Sequence, residues 1–215
     1  MRTIVSGVVL VVACGGGGVA PDAHAIDGRV LPANVVFVSE DDRLVTGGLD
    51  AADTFCAEQA ERYGLAGTYV AWLSTSTVAA RDRLAGSRGW VRADGRPFVA
   101  SIDDLVAGRM YYPPNVFPDG ARAISVATAT GTKPDGTPAP RTCGDWTSNA
   151  AELAHVGGVS GATTDTWTSA GSLTSCEDPQ RLYCFGVGLD VDVTPAPTPG
   201  RLVFVSSPWI PGGGL

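Results

Sequence analysis

Two cysteines separated by seven residues, in the run CEDPQRLYC from Cys176 to Cys184, constrain this chain most, because their meaning depends on where the chain folds. The N-terminus decides that. A basic Arg2 precedes the apolar run Ile4 to Ala13, which has the form of a secretory signal over residues 1–13 and is too short to cross a bilayer comfortably. In an exported chain, an even set of cysteines reads as a disulfide framework. Of the five cysteines, Cys14 closes the signal, leaving Cys56, Cys143, Cys176 and Cys184. Zinc is the rival reading, but zinc sites draw on C-x-x-C pairs or histidine partners. Neither occurs here, and His24 and His155 stand far apart in small-residue sequence.

The signal ends in LVVAC, which resembles the lipobox of bacterial lipoproteins, in which the cysteine becomes the new N-terminus and carries the acyl chains. Cys14 is therefore the expected lipidation site. Residues 14–33, beginning with four glycines after Cys14, read as a flexible tether. Each buried CH₂ of an acyl chain contributes about 0.8 kcal/mol, so more than one chain holds stably. The alternative is an ordinary signal cleaved after Ala25, in AHA, which gives a secreted soluble protein. A net charge of −7 argues against nucleic acid and against an electrostatic grip on anionic lipid. Contact with a membrane is expected through the anchor only.

Order is expected to begin at NVVFVSE, where the β-branched alternation around Val36 and Val38 signals a strand. In LDAADTFCAEQAERYG, Leu49, Ala52, Phe55, Cys56, Ala60 and Tyr63 recur at helical spacing, acidic at the start and closed by Gly64. TYVAWLSTST reads as a buried strand and TVAARDRLAG as a short helix. VRADGRPFV carries an Asp-Gly turn between apolar runs, a hairpin signal. Ser101 and Asp104 have capping-box-like spacing. From about Tyr111 to Ser175 the chain is turn-forming residues broken by Trp146 and Trp167, so a loop-rich half is expected. RLYCFGVG supplies a last strand, with Leu182 and Cys184 on one face and Tyr183 and Phe185 on the other. Residues 190–201 read as a Pro-rich linker. A cysteine on an early helix and another on a late strand make Cys56 with Cys184, and Cys143 with Cys176, the natural pairing. Three connectivities remain open at this point.

The segments VFVS to AWLSTST, CGDWTS and RLYCFG together resemble the C-type-lectin-like fold over residues 34–189, an α+β fold of small sheets, two flanking helices and a long loop-rich region. More narrowly, they are similar to the domain family of bacterial surface lipoproteins that includes the leptospiral endostatin-like proteins. The resemblance implies a first-to-last cysteine pair and a middle pair, and adhesion to host matrix and serum proteins. The expected function is therefore a non-catalytic binding module at the outer membrane or cell surface, its ligand a protein or glycan; a secreted enzyme on the same scaffold and a purely structural surface module are the alternatives. Sugar-binding members hold calcium through Glu-Pro-Asn or Gln-Pro-Asp and Trp-Asn-Asp motifs. This chain has YYPPNV at 111–116 and SAGSLTSC before Cys176, so the usual calcium site is not expected and no cofactor is.

Candidate ligand contacts are Tyr111, Tyr112 and Asn115, in a tyrosine-bearing loop, and Trp167, in a Thr/Ser-rich stretch. The acidic runs Glu40 to Asp42 and Asp190 to Asp192 lack EF-hand spacing and read as solvated turns. There is no G-x-S-x-G, P-loop or H-E-x-x-H motif, so no catalytic or metal residue is assigned. Finally, RLVFVSSPWIPGGGL repeats VFVS and GGL from the start of the domain, so residues 202–215 are expected to be the truncated start of a second copy, the alternative being a C-terminal strand that pairs within the one domain.

Overall fold

The computed structural model describes residues 33–150, 154–171 and 173–195. Cys14, His24 and the segment 202–215 lie outside the described residues, and with them the expected anchor and second copy. The elements in chain order are β1 (Asn34–Val38), α1 (Gly48–Arg62), β2 (Thr68–Ala71), a 3-10 turn (Ala80–Leu84), β3 (Trp90–Arg92), β4 (Pro97–Val99), α2 (Ile102–Val106), β5 (Ala127–Ala129), α3 (Cys143–Trp146), β6 (Ala154–Val159), β7 (Leu173–Ser175) and β8 (Arg181–Val187). The class is mixed α+β, as expected from the sequence.

The strands join into one branched sheet in the order β4-β3-β1-β8-β5-β6-β7, with β2 also on β8. β8 is the branch point. Antiparallel β1 lines one of its edges, pairing Phe37 with Cys184, and on the other edge β2 takes the Cys184 end while β5 runs parallel beside Arg181 and Leu182. The period-2 alternation of β1 and β8 then makes two cores. Phe37, Leu182 and Cys184 face α1, packing with Ala52, Phe55, Cys56 and Ala60. Val36, Val38, Tyr183 and Phe185 face the other way, among Trp72, Trp90, Phe98 and Trp167.

This second core is unusually aromatic. Ring centroids of Trp72 and Trp167 lie 5.1 Å apart, and those of Trp167 and Tyr183 5.3 Å, distances at which tilted rings attract. Three of the buried polar tips have partners: Trp72 Nε1 donates to Thr168 Oγ1 at 2.8 Å, Trp90 Nε1 to the Gly186 carbonyl at 2.9 Å, and the Tyr183 hydroxyl to the Trp167 carbonyl at 2.7 Å. Burial pushes the Tyr183 phenol pKa far up, so it serves as a donor and not as a base.

Two disulfides staple the layers. Cys56 of α1 is bonded to Cys184 of β8, and Cys143 to Cys176. These are the pairs the resemblance implies, and disulfides point to an extracellular or oxidising environment. No helix among the described residues is long and apolar enough to cross a membrane. α1 ends as its sequence dictates, with Gly64 at φ 68 and the Leu65 amide returning to the Ala60 carbonyl.

The structure departs from the sequence reading in three places. The strand expected over residues 68–77 is β2 alone, Thr68–Ala71. The helix expected over residues 77–86 is only the 3-10 turn, because Arg83 is drawn back to the Ala71 carbonyl and bonds Asp53 at 2.6 Å. The same Asp53 accepts the Ala71 amide at 2.9 Å, so this ion pair closes the outer edge of β2. The half expected as loops carries β5, β6 and β7 and the helical turn α3. In α3, Cys143, Gly144, Asp145 and Trp146 all have positive φ, between 52° and 63°. That left-handed winding costs about 1–2 kcal/mol at each non-glycine residue. It is offset by the Cys143 disulfide, by Asp145 accepting from Ser76 N at 2.7 Å and Ser76 Oγ at 2.6 Å, and by Trp146 Nε1 donating to the Ser74 carbonyl at 2.7 Å.

Candidate functional site

Tyr111 and Tyr112 are 39% and 38% exposed, large side chains held at the surface. Their loop is pinned from several sides. The Tyr111 amide donates to the Phe98 carbonyl at 2.9 Å, covering β4, and the Val116 carbonyl accepts from Val38 at the end of β1 at 2.8 Å. Beneath the loop lies Arg92, 5% exposed, carried there by the register of β3 on β1. Its Nη1 donates to the Pro113 carbonyl at 3.1 Å and to Asn115 Oδ1 at 2.8 Å, and its Nε donates to Asp94 Oδ1 at 3.0 Å. Nη2 bonds the second Asp94 oxygen. A planar five-donor group suits this task, and a lysine could not bridge loop and turn together.

Two hairpin tips flank the loop. Arg92 to Arg96 and Phe117 to Ala121 make the same turn: the glycine amide returns to the first carbonyl at 2.8 and 2.9 Å, and the first amide donates to the fifth carbonyl at 2.8 Å in both. The central Asp94 and Asp119 accept from the amide two residues on, at 3.3 and 2.8 Å. This is a type I turn with a glycine bulge, and the third glycine-containing position needs positive φ, here 79° at Gly95 and 84° at Gly120. The tips touch, since a Cβ on Gly120 would lie 3.6 Å from Asp94 Cα. A third copy, Lys133 to Thr137, sits apart, against Arg81 and Val106.

On this support, guanidinium groups lie against Tyr112: Arg92 Cζ is 5.4 Å and Arg96 Cζ 5.5 Å from the ring centroid. Nearby, Arg181 Cζ lies 5.3 Å from the Phe117 ring. The surface therefore offers phenols, turn amides and guanidinium held in place, a composition suited to recognition.

The other two sequence candidates do not join it, and this corrects the reading of the sequence. Asn115, 4% exposed, spends its side chain on Arg92 and its carbonyl on the Ala123 amide at 2.8 Å. Trp167, 1% exposed, is a core residue; the hydrogen-bonding tract around it encloses it. The acidic run Glu40 to Asp42 is also structural. Asp41 accepts from Gln59 at 2.9 Å and Arg62 at 2.6 Å, whose bonds hold its carboxyl below the usual range, Arg62 contributing most. Tyr63 donates to Glu40, so the run clasps the last turns of α1. Asp192 pairs with Arg88 at 2.6 Å. Among the described residues no group of three or more His, Cys, Asp or Glu is placed to hold a metal. His155 lies in β6 opposite Thr174.

Sequence reasoning missed Arg92, Asp94 and Arg96. The signal was present, since RADGR, FPDGA and KPDGT place Asp-Gly at the same point of three five-residue units. At the opposite end of β1, a shallow apolar groove of about 600 Å³ is lined by Asn34, Val35, Thr68, Gly186 and Leu189, with no charged side chain among them. Compared with protein-family models and with curated proteins, the chain matches none.

Proposed function

We propose that residues 34–189 form a non-catalytic binding domain that presents the Tyr111–Tyr112 loop to an extracellular protein or glycan. The observation that carries this reading is the pairing of two exposed tyrosines with a buried arginine whose bonds immobilise their loop. Holding a contact loop in one conformation before binding lowers the entropy cost of association. The C-type-lectin-like, endostatin-like scaffold belongs to this proposal; the first-to-last and middle cysteine pairs support it. So does lipid attachment at Cys14 to an outer membrane or cell surface, with secretion as a soluble protein as the alternative. No calcium and no other cofactor takes part.

The test is binding of the protein to a panel of glycans and matrix proteins, with calcium and with chelator. Chelator-insensitive binding that falls at least tenfold in Tyr111→Ser/Tyr112→Ser is the expected result. A ligand held equally well by the double variant removes the loop from the proposal, and a chelator-sensitive glycan signal replaces it with a calcium site.

A further inference from the structure

The two arginines on Tyr112 are not equivalent, and the difference points to the chemistry of the ligand. Arg92 is buried, and its four hydrogen bonds consume both Asp94 oxygens. Arg96 is left with a surplus charge: its side chain is 47% exposed, and its nearest carboxylate oxygen, on the already occupied Asp94, is 3.8 Å from Nε. Its main chain is fixed by the hairpin turn, and its guanidinium rests on the Tyr112 ring. Exposed Arg122, which closes the neighbouring hairpin opposite Val116, has no ion pair among the described residues. The acidic side chain of that hairpin, Asp119, accepts the Ala121 amide.

An arginine restrained on an aromatic ring keeps an open fork of donors that matches a carboxylate in two parallel bonds. The same stacking spoils Tyr112 as a platform for a neutral sugar, because guanidinium groups already lie against the ring. A densely charged polyanionic glycan fits poorly as well. It needs a stripe of cations, and here Arg92 is consumed by Asp94, which leaves Arg96 and Arg122 on this face. Resting on the binding reading above, we propose that Arg96 on Tyr112 receives a carboxylate from an acidic peptide segment of the protein ligand. Tyr111 supplies apolar contact beside it, and Arg122 adds attraction.

The experiment uses the full chain and fluorescein-labelled hexaglutamate, with hexaglutamine as the uncharged control and a sulfated glycan as a rival. Hexaglutamate is expected to bind at low salt, to weaken at least fivefold at high salt, and to lose at least tenfold in Arg96→Gln. Arg96→Lys, which keeps charge but loses the fork, falls between. Arg141→Gln, at an exposed arginine elsewhere, leaves binding unchanged. Near-ultraviolet circular dichroism checks that each variant is folded. Equal binding of hexaglutamine, an unchanged Arg96→Gln, an equal loss in Arg141→Gln, or Arg96-dependent capture of the sulfated glycan alone would each overturn the proposal. If hexaglutamate fails while the double tyrosine variant still abolishes binding to the panel, the acidic-peptide reading falls and the binding domain stands.

Discussion

Arg92 joins two jobs that are usually separate, since the same side chain fills a buried site and fixes an exposed loop. Replacing it by leucine strips partners from Asp94, Asn115 and the Pro113 carbonyl together, so Arg92→Leu is expected to lower unfolding free energy by about 3–5 kcal/mol. Guanidinium denaturation measures this, and a loss under about 1 kcal/mol means that the network is not what holds the loop. Asp145 gives a second residue-level expectation. Bonds from Ser76, foremost its hydroxyl, hold the carboxyl below its ordinary value of 3.8. A carboxyl lowered in the folded state adds stability that is present above the unfolded value and disappears as pH falls through the folded one. Unfolding midpoints followed from about pH 6 to about pH 2 should therefore fall less steeply in Asp145→Asn than in the parent. Coincident slopes would show that Asp145 is not a source of acid sensitivity.

At the scale of elements, β6 shows why part of the fold was hidden. Gly158 needs no special backbone angle, but a Cβ there would lie 1.9 Å from the Trp167 carbonyl oxygen. Gly158→Ala is expected to cost about 1–3 kcal/mol or more, read as a lower melting temperature with a red-shifted tryptophan emission; an unshifted melt removes the close approach from the account. A strand whose identity rests on glycines beneath a tryptophan leaves no apolar alternation to read, and β5 and β7 have only three residues each. β1, α1 and β8 were legible because their apolar periods match the faces they bury, down to the split of Leu182 and Cys184 from Tyr183 and Phe185. The left-handed turn of α3 was illegible for another reason. Local support is limited to Gly144 and the bonds between Thr142 and Asp145, and distant partners at Cys176, Ser74 and Ser76 hold it. In the candidate site, the exposed tyrosines were visible in the sequence, whereas Asn115 and Trp167 looked polar-flanked and proved internal. The arginine beneath them became visible only through the pairing of β3 with β1.

For the whole molecule, the two disulfides constrain loops of different length, 128 and 33 residues of separation. In the chain-entropy view their removal costs about 5 and about 4 kcal/mol. Cys56→Ala/Cys184→Ala is thus expected to be the more destabilised double variant, and the reverse order in denaturant melts would show that the strained turn of α3, not loop closure, dominates. The chain's path through the domain is closed at one pole. There Asn34 Nδ2 donates to the Arg88, Gly89 and Leu189 carbonyls at 2.9, 3.2 and 2.8 Å, while its Oδ1 accepts the Leu189 amide at 3.2 Å. The tyrosine loop is fastened at the other pole, to Val38 and Arg92. A pull on that loop, resisted where the polypeptide enters and leaves, therefore runs lengthwise along β1 and β3. Such tension loads their ladder bonds all at once, in shear, and the domain behaves as a cable clamp and not as a zipper.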